Sequence, residues 1–472
     1  MPHSANPRIA IVGSGLCGAL LAVYVGRAGY PVDLYERRPD PRSGKVVGGR
    51  SINLALSTRG LTALERVGLA DEIMKIAVPM RGRMIHPQHG DLAYQPYDKD
   101  PSKAINSVSR AALNLLLIEA AAKLPNVRMH FDWRCVDADL DAPAVMLEHA
   151  ETGESRRAEA DIIIGADGAF SAIRGRMQKV DRFDYSQEYL AHGYKELHIP
   201  PKDGGGFRME PNALHIWPRR SFMMIALPNP EGSFTCTCFW PWTGPNGFDR
   251  LRTPAEVEAY FREIFPDAVP LMPTLVEDYQ RNPTSSLLTV RCGPWHYRDK
   301  VLILGDAAHA IVPFYGQGMN CAFEDCNVFG QILDAARAQA PRSASAPTRA
   351  PEPRFAGEPG AIDWESLFAR FYEARKRNAD TVADLALHNF IEMRDHSGSR
   401  LFQLHKAWER TLHRWLPNWY TPLYTLVSFS NTPYADAVAR AKEQTRIVNR
   451  VLAWAGAAVV AGLSLAAWLL LR

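Results

Sequence analysis

Little in this chain favours one sign of charge. Its 54 Lys and Arg residues nearly balance 51 Asp and Glu, leaving a net charge of +3 over 472 residues. A balance this close to neutral offers no electrostatic footprint for nucleic acid. Cysteine is sparse too. The seven cysteines are scattered, none is paired at zinc-ligand spacing, and their odd number argues against a disulfide framework. They read as reduced thiols that pack as small apolar residues. His86-Pro87-Gln88-His89 has ligand-like spacing, but its proline and turn-like context argue against a metal, and no metal site is expected elsewhere. Internal repeats are absent. So is a signal peptide: Met1 to Pro7 is short and polar, and Arg8-Ile9-Ala10-Ile11-Val12 reads as a buried first strand. Uncharged apolar runs of membrane length are missing until Val451 to Leu471. That run has Trp454 and Trp468 near its ends and Arg446, Arg450 and Arg472 around it. As a helix it rises about 30 Å, enough to cross a hydrocarbon core, and terminal tryptophans with flanking arginines suit the interface. The alternative is a buried or amphipathic terminal helix, but this run is apolar on all sides.

With 47% hydrophobic residues, the chain can bury a large core in two or three structural units. Three motifs follow one another along it: Gly13-Ser14-Gly15-Leu16-Cys17-Gly18, Gly165-Ala166-Asp167-Gly168, and Gly305-Asp306-Ala307-Ala308-His309 leading into Pro313-Phe314-Tyr315-Gly316-Gln317-Gly318-Met319-Asn320. Each sits where a strand meets a loop or helix. In the first, glycines allow a tight turn and close approach of backbone to a pyrophosphate. The helix from Leu16 aims its free amides at that anion. Glu36 closes the next strand, Val32-Asp33-Leu34-Tyr35, where a ribose-binding acid is expected. The bland reading is a glycine-rich turn with a solvated Glu36. This motif alone does not separate FAD from NAD. The third does, because Asp306 lies at a sheet's C-terminal edge and can accept from ribityl hydroxyls. Gly316 and Gly318 let backbone approach an isoalloxazine ring, and a helix from about Met319 places positive charge beside it. Asp306 as a plain helix cap is the competing view.

In this order the motifs resemble the single-component FAD-dependent aromatic hydroxylases, the class A flavoprotein monooxygenases, over about residues 8–335. The resemblance implies an α/β architecture: a Rossmann-like FAD-binding domain of the p-hydroxybenzoate hydroxylase type, an antiparallel substrate sheet, C-terminal helices and a transmembrane helix. The expected units are 1–180 with 290–340 for FAD, 181–289 for the sheet, a flexible Pro/Ala-rich loop at 341–362, helices at 363–447 and an anchor at 448–472. It also implies that NADPH is a transient co-substrate. Asp167, with Arg174 in the same segment, would serve FAD and NADPH, and Arg110 would contact FAD. Leu16, Arg37, Arg38, Ala55, Met319 and Asn320 complete the cofactor set with Gly13, Gly15, Gly18, Glu36, Asp306 and Gly318.

Further segments resemble the branch of that family that hydroxylates L-kynurenine. They are Arg50 to Ser57, Arg83-Met84-Ile85-His86, Pro313 to Asn320, His388 to Arg394 and Pro422-Leu423-Tyr424-Thr425. The implied reaction uses NADPH and O2 and passes through a flavin C4a-hydroperoxide. Arg83 and Tyr97 would hold the substrate's α-carboxylate, with Asn389 and Tyr424 completing the grip; a guanidinium suits a carboxylate. Glu392 would share a helix face with Asn389. Phe239, Phe314, Tyr315 and Met393 would wall the ring, although each could equally be ordinary core. Gln317, which would orient the substrate carbonyl, and Tyr424 are the candidates for a catalytic role. The implied setting is a tail anchor in lipid with the catalytic body cytosolic, at a bacterial inner or mitochondrial outer membrane, with a homodimer left open. A different FAD monooxygenase or epoxidase, or a non-catalytic flavin scaffold, are the alternatives.

Overall fold

The structure is a computed structural model that describes residues 6–44, 53–339, 362–391, 408–409, 411–416 and 419–471. The Pro/Ala-rich tract at 341–361, the Arg50-Ser51-Ile52 motif, Glu392 and Met393 lie outside the described residues.

Six strands build the first sheet, in the order 296–297, 301–303, 162–165, 9–12, 32–35 and 127–130. Neighbours run parallel except at the 296–297 edge. Ile9–Val12, Ile162–Gly165 and Val301–Ile303 are buried throughout, which is why each is an unbroken apolar run. They are adjacent in the sheet. The three motifs at their C-terminal ends, far apart in sequence, therefore meet along one edge. Glycine is obligatory at two places there. Gly13 has φ +97°, and a Cβ on Gly18 would stand 1.9 Å from the Gly13 carbonyl oxygen.

The second sheet has seven strands, ordered 285–293, 184–199, 234–241, 223–228, 213–218, 82–85 and 93–96. All neighbours are antiparallel except 213–218 with 82–85. Two of its strands thus come from within the first unit, so the units interleave instead of parting near residue 180. Alternation sorts its side chains by face. Met224 and Cys238 pack with Phe261 and Phe265 beneath the outer helices, whereas Met223 and Phe239 face Phe314 and Phe390.

The helix at Gly318–Gln339 starts where the third motif predicts, and the Trp364–Ile391 helix packs against it. The C-terminal segment differs from expectation. Helices at 363–447 and an anchor at 448–472 are expected, and a single helix runs across that boundary from Tyr434 to Leu470, because no proline interrupts it and its glycines fall inside the apolar run. Its apolar part is long enough by length and composition to cross a membrane and is not buried against the rest of the chain.

A buried ion network joins these helices to the first sheet. Asp325 accepts from the Gly305 amide at 2.9 Å, from His309 Nε2 at 2.6 Å and from Arg375 Nε at 2.7 Å. Glu324 bridges Arg375 and Arg59, and Arg59 donates to the Thr432 carbonyl. Burial disfavours the Asp325 charge, but His309 and Arg375 outweigh it and hold the carboxyl at about 2. Asp325→Asn takes one of two carboxylates from buried Arg375 and the only one from His309, and should cost about 3 kcal/mol in urea titration. A depressed carboxyl stabilises the fold above its ordinary value and loses that contribution only as pH falls toward about 2. Asp325 also holds His309 above its ordinary pKa, so the gap between variant and wild type should widen from neutral pH to about 5 and close below that.

Candidate active site

A cleft of about 890 Å³ lies between the motif edge of the first sheet and the inner face of the second. That is at the upper end for sites that take an organic ligand. Of the residues singled out from sequence, Gly13, Gly15, Leu16, Glu36, Arg37, Arg38, Ala55, Arg110, Asp167, Asp306, Gly318 and Met319 line it, and so do Arg83, Tyr97, Phe239, Phe314, Tyr315, Gln317 and Tyr424.

Several observations test the fit of FAD to the first group. The Leu16–Arg27 helix has no side-chain cap, and a Cβ built on Gly15 meets nothing within 4 Å, so the helix end is open toward the cleft. Glu36 is buried and accepts from the Ser14 amide at 2.9 Å and from Arg38 Nε at 2.8 Å. Burial would raise its pKa, but Arg38 and the Ser14 amide outweigh burial and hold it below the usual range, as a charged acceptor. Asp306 is exposed where it opens on the cleft, and no side chain or amide among the described residues bonds its carboxylate. Burial pushes its pKa up, against the pull of His309 and Arg110. Such a group calls for hydroxyl donors from a ligand. Asp167 is already engaged through one oxygen with the Ala172 amide at 2.7 Å, while its Oδ1 is buried without a partner. Arg174 reaches the carbonyls of Ala169 and Ala307, clamping the second motif to the third. These residues fit FAD.

Under the second sheet the chemistry changes. Arg83, on the Gly82–Ile85 strand, is enclosed by the rings of Tyr97 and Tyr424, 5.7 and 4.8 Å from its guanidinium carbon. Tyr97 and Tyr424 stack at 5.5 Å, and Tyr315 adjoins Tyr424 at 5.6 Å. Burial opposes the Arg83 charge, but the surrounding phenols keep its pKa above the ordinary value. Its Nε is buried without an acceptor, and no carboxylate pairs with it among the described residues. Beside it Phe239 and Phe314 meet edge to face at 5.0 Å, and Phe314 stacks on Phe390 at 4.1 Å.

Three anticipated residues are off the cleft surface. Gly18 packs on Gly13. Asn320 is fully buried, donating to the Ala55 and Gly316 carbonyls and accepting from the Ser57 amide, so it shapes the loop. Asn389 donates to the Phe314 carbonyl at 2.6 Å and so braces the ring wall from behind. His86 bonds Asp267 and His215 instead of forming a ligand pair with exposed His89. His309, Cys321 and Asp325 do gather like metal ligands, but the Arg375 guanidinium reaches both Asp325 and Cys321 and supplies the positive charge. Sequence reading missed Met223, Ile225, Leu227 and Thr237, which also line the cleft. The alternation of their two strands carried the signal, but not which face was inner.

The FAD binding domain family matches residues 7–344. Among solved structures, 2-methyl-3-hydroxypyridine-5-carboxylic acid oxygenase superposes with a TM-score of 0.62 at 20% identity, covering 83% of this chain and 94% of that one. PqsL from P. aeruginosa superposes at 0.64 and 18% identity, covering 85% and 100%. The family match, taken with the curated relatives, makes this chain an FAD-dependent monooxygenase. Curated relatives narrow the class. Kynurenine 3-monooxygenase of Myxococcus xanthus is 49% identical over 92% of this chain and 88% of its own length, and that of Dictyostelium discoideum is 46% identical over 95% and 93%. The chain belongs to the kynurenine 3-monooxygenase family.

Asp306→Ala should lower bound flavin sharply, read as the ratio of flavin to protein absorbance in the purified protein. The melting temperature of the flavin-free protein should stay level or rise, because the lost carboxylate has no protein partner.

Proposed function

We propose that this chain hydroxylates L-kynurenine to 3-hydroxy-L-kynurenine at the expense of NADPH and O2. One observation carries the substrate class: Arg83 is a half-buried cation that opens on the cleft, its Nε shut off from solvent, with no protein anion beside it among the described residues. A charge held this way is costly unless a ligand completes it, and a planar guanidinium matches an amino acid's carboxylate. The relatives' shared name supplies the particular amino acid.

Redox chemistry, both hydride acceptance from NADPH and activation of O2, is what bound FAD supplies. The chain's own residues do the rest. Arg83 binds the α-carboxylate, and the Tyr97 and Tyr424 rings cover that pair and keep water from it. Phe239 and Phe314 hold the aromatic ring in an apolar slot, which Asn389 braces through the Phe314 carbonyl. Gln317, at the start of the Gly318–Gln339 helix, offers an amide to the substrate's ketone. The ring's own amino group directs electron density to its ortho carbon, the position hydroxylated, which gives up its proton as the ring regains aromaticity. Desolvation protects the reaction from unproductive release of hydrogen peroxide. The apolar part of the Tyr434–Leu470 helix anchors the body to a bilayer.

The test is NADPH oxidation by the detergent-solubilised, FAD-loaded chain with and without L-kynurenine, with product followed by mass spectrometry. Strong stimulation with a gain of one oxygen is expected. Stimulation with peroxide alone means that kynurenine is only an effector, and no stimulation overturns the substrate. Arg83→Met separates binding from folding. It should raise KM for kynurenine by at least about 100-fold, the loss of a charged hydrogen-bonded pair. FAD should stay bound, and the melting temperature should hold or rise, since an apolar residue replaces an unpaired charge.

A further inference from the structure

The residue that opens the terminal helix reaches the edge of the active site. Tyr434 is fully buried, and its hydroxyl donates to Gln317 Oε1 at 3.0 Å. Gln317 is itself almost wholly buried, lines the cleft, and starts the next helix through its carbonyl, which accepts from the Cys321 amide at 2.8 Å. Its Nε2 bonds no acceptor among the described residues. Tyr434 itself is firmly seated. The Arg59 guanidinium lies 3.9 Å from its ring centre and is tied to Glu324 and to the Thr432 carbonyl. Burial pushes the phenol well above its ordinary pKa, so the hydroxyl keeps its proton to donate.

An amide side chain has an acceptor end and a donor end, and a half-turn about its last bond exchanges them. We infer that Tyr434 is a positioning residue for the hydroxylation: its hydroxyl fixes the oxygen end of Gln317, so that the NH2 end is the one offered to the substrate's ketone. The distinction matters because a ketone oxygen only accepts. A Gln317 turned the other way sets oxygen against oxygen, and the aromatic ring loses its fixed placement. This role rests on L-kynurenine, or a close aryl ketone, being the substrate. The hydroxyl acts at one remove, since Tyr434 does not line the cleft.

Tyr434→Phe removes the hydroxyl and leaves the ring beneath Arg59. In the FAD-loaded full chain, L-kynurenine binding is read without turnover from the change in flavin absorbance on titration. Binding should weaken about five- to tenfold, the worth of one neutral hydrogen bond. A larger share of NADPH should end as hydrogen peroxide, while FAD content and melting temperature stay near wild type. The decisive comparison is a cycle with Gln317→Ala. If Tyr434 acts through Gln317, adding Tyr434→Phe to Gln317→Ala changes neither binding nor the peroxide share further. Equal losses in both backgrounds, or no loss in the single variant, overturn the role and leave the substrate standing. Wild-type protein that does not bind L-kynurenine at all overturns substrate and role together.

Discussion

Asp325 is the point on which the architecture turns. A carboxylate with no solvent exposure has to find its hydrogen bonds within the protein, and this one finds three partners on two elements at once. It takes the amide of Gly305, the imidazole of His309 and the guanidinium of Arg375. The first two belong to the loop that presents Asp306 to the cleft, and the third belongs to the long helix whose far end carries Asn389 and Phe390. Glu324, one residue earlier, passes the constraint through Arg59 to the segment before the terminal helix. Cofactor loop, ring wall and C-terminal region therefore share one electrostatic anchor.

Arg375 and Arg59 differ in their partners from Arg83, the residue proposed to bind the substrate's carboxylate. The first two are nearly inaccessible to solvent and matched by carboxylates. Arg83 is enclosed as well, but by phenol rings alone. Folding gains nothing evident from a guanidinium there, and binding an anion does. The contrast depends on which partners surround each group, not on how deeply it is buried.

Much of the nucleotide-binding unit was legible from sequence because its signals are local. A glycine that must avoid the carbonyl of Gly13, an apolar strand and an acid at the next strand's end all lie within a short stretch. The third motif was legible for the same reason. The reach of the second sheet was not. Gly82–Ile85 pairs in parallel with Ala213–Pro218, and nothing near residue 82 announces a partner so far along the chain. Roles that depend on side-chain direction were also beyond reach. Asn320 and Asn389 sit in the expected segments, yet their amides turn to backbone carbonyls, a choice set by tertiary packing that motif spacing does not encode. The Asp325 network escaped for a related reason: its members are spread over four elements, and no single window of sequence shows them together.

The terminal helix has a mechanical consequence. Tyr434 is locked beside Gln317, and the uncharged run begins at Val451 on the same uninterrupted helix. At 1.5 Å per residue the intervening stretch spans about 25 Å. A helix cannot shorten or swivel freely along its length, so it works as a ruler. With the apolar end in a bilayer, as proposed above, it would set the height of the cleft above that bilayer and the side of the body turned toward the lipid. Adding a single residue to that stretch would swing the catalytic body by about 100° around the anchor, and adding a full turn would lift it while nearly restoring its facing.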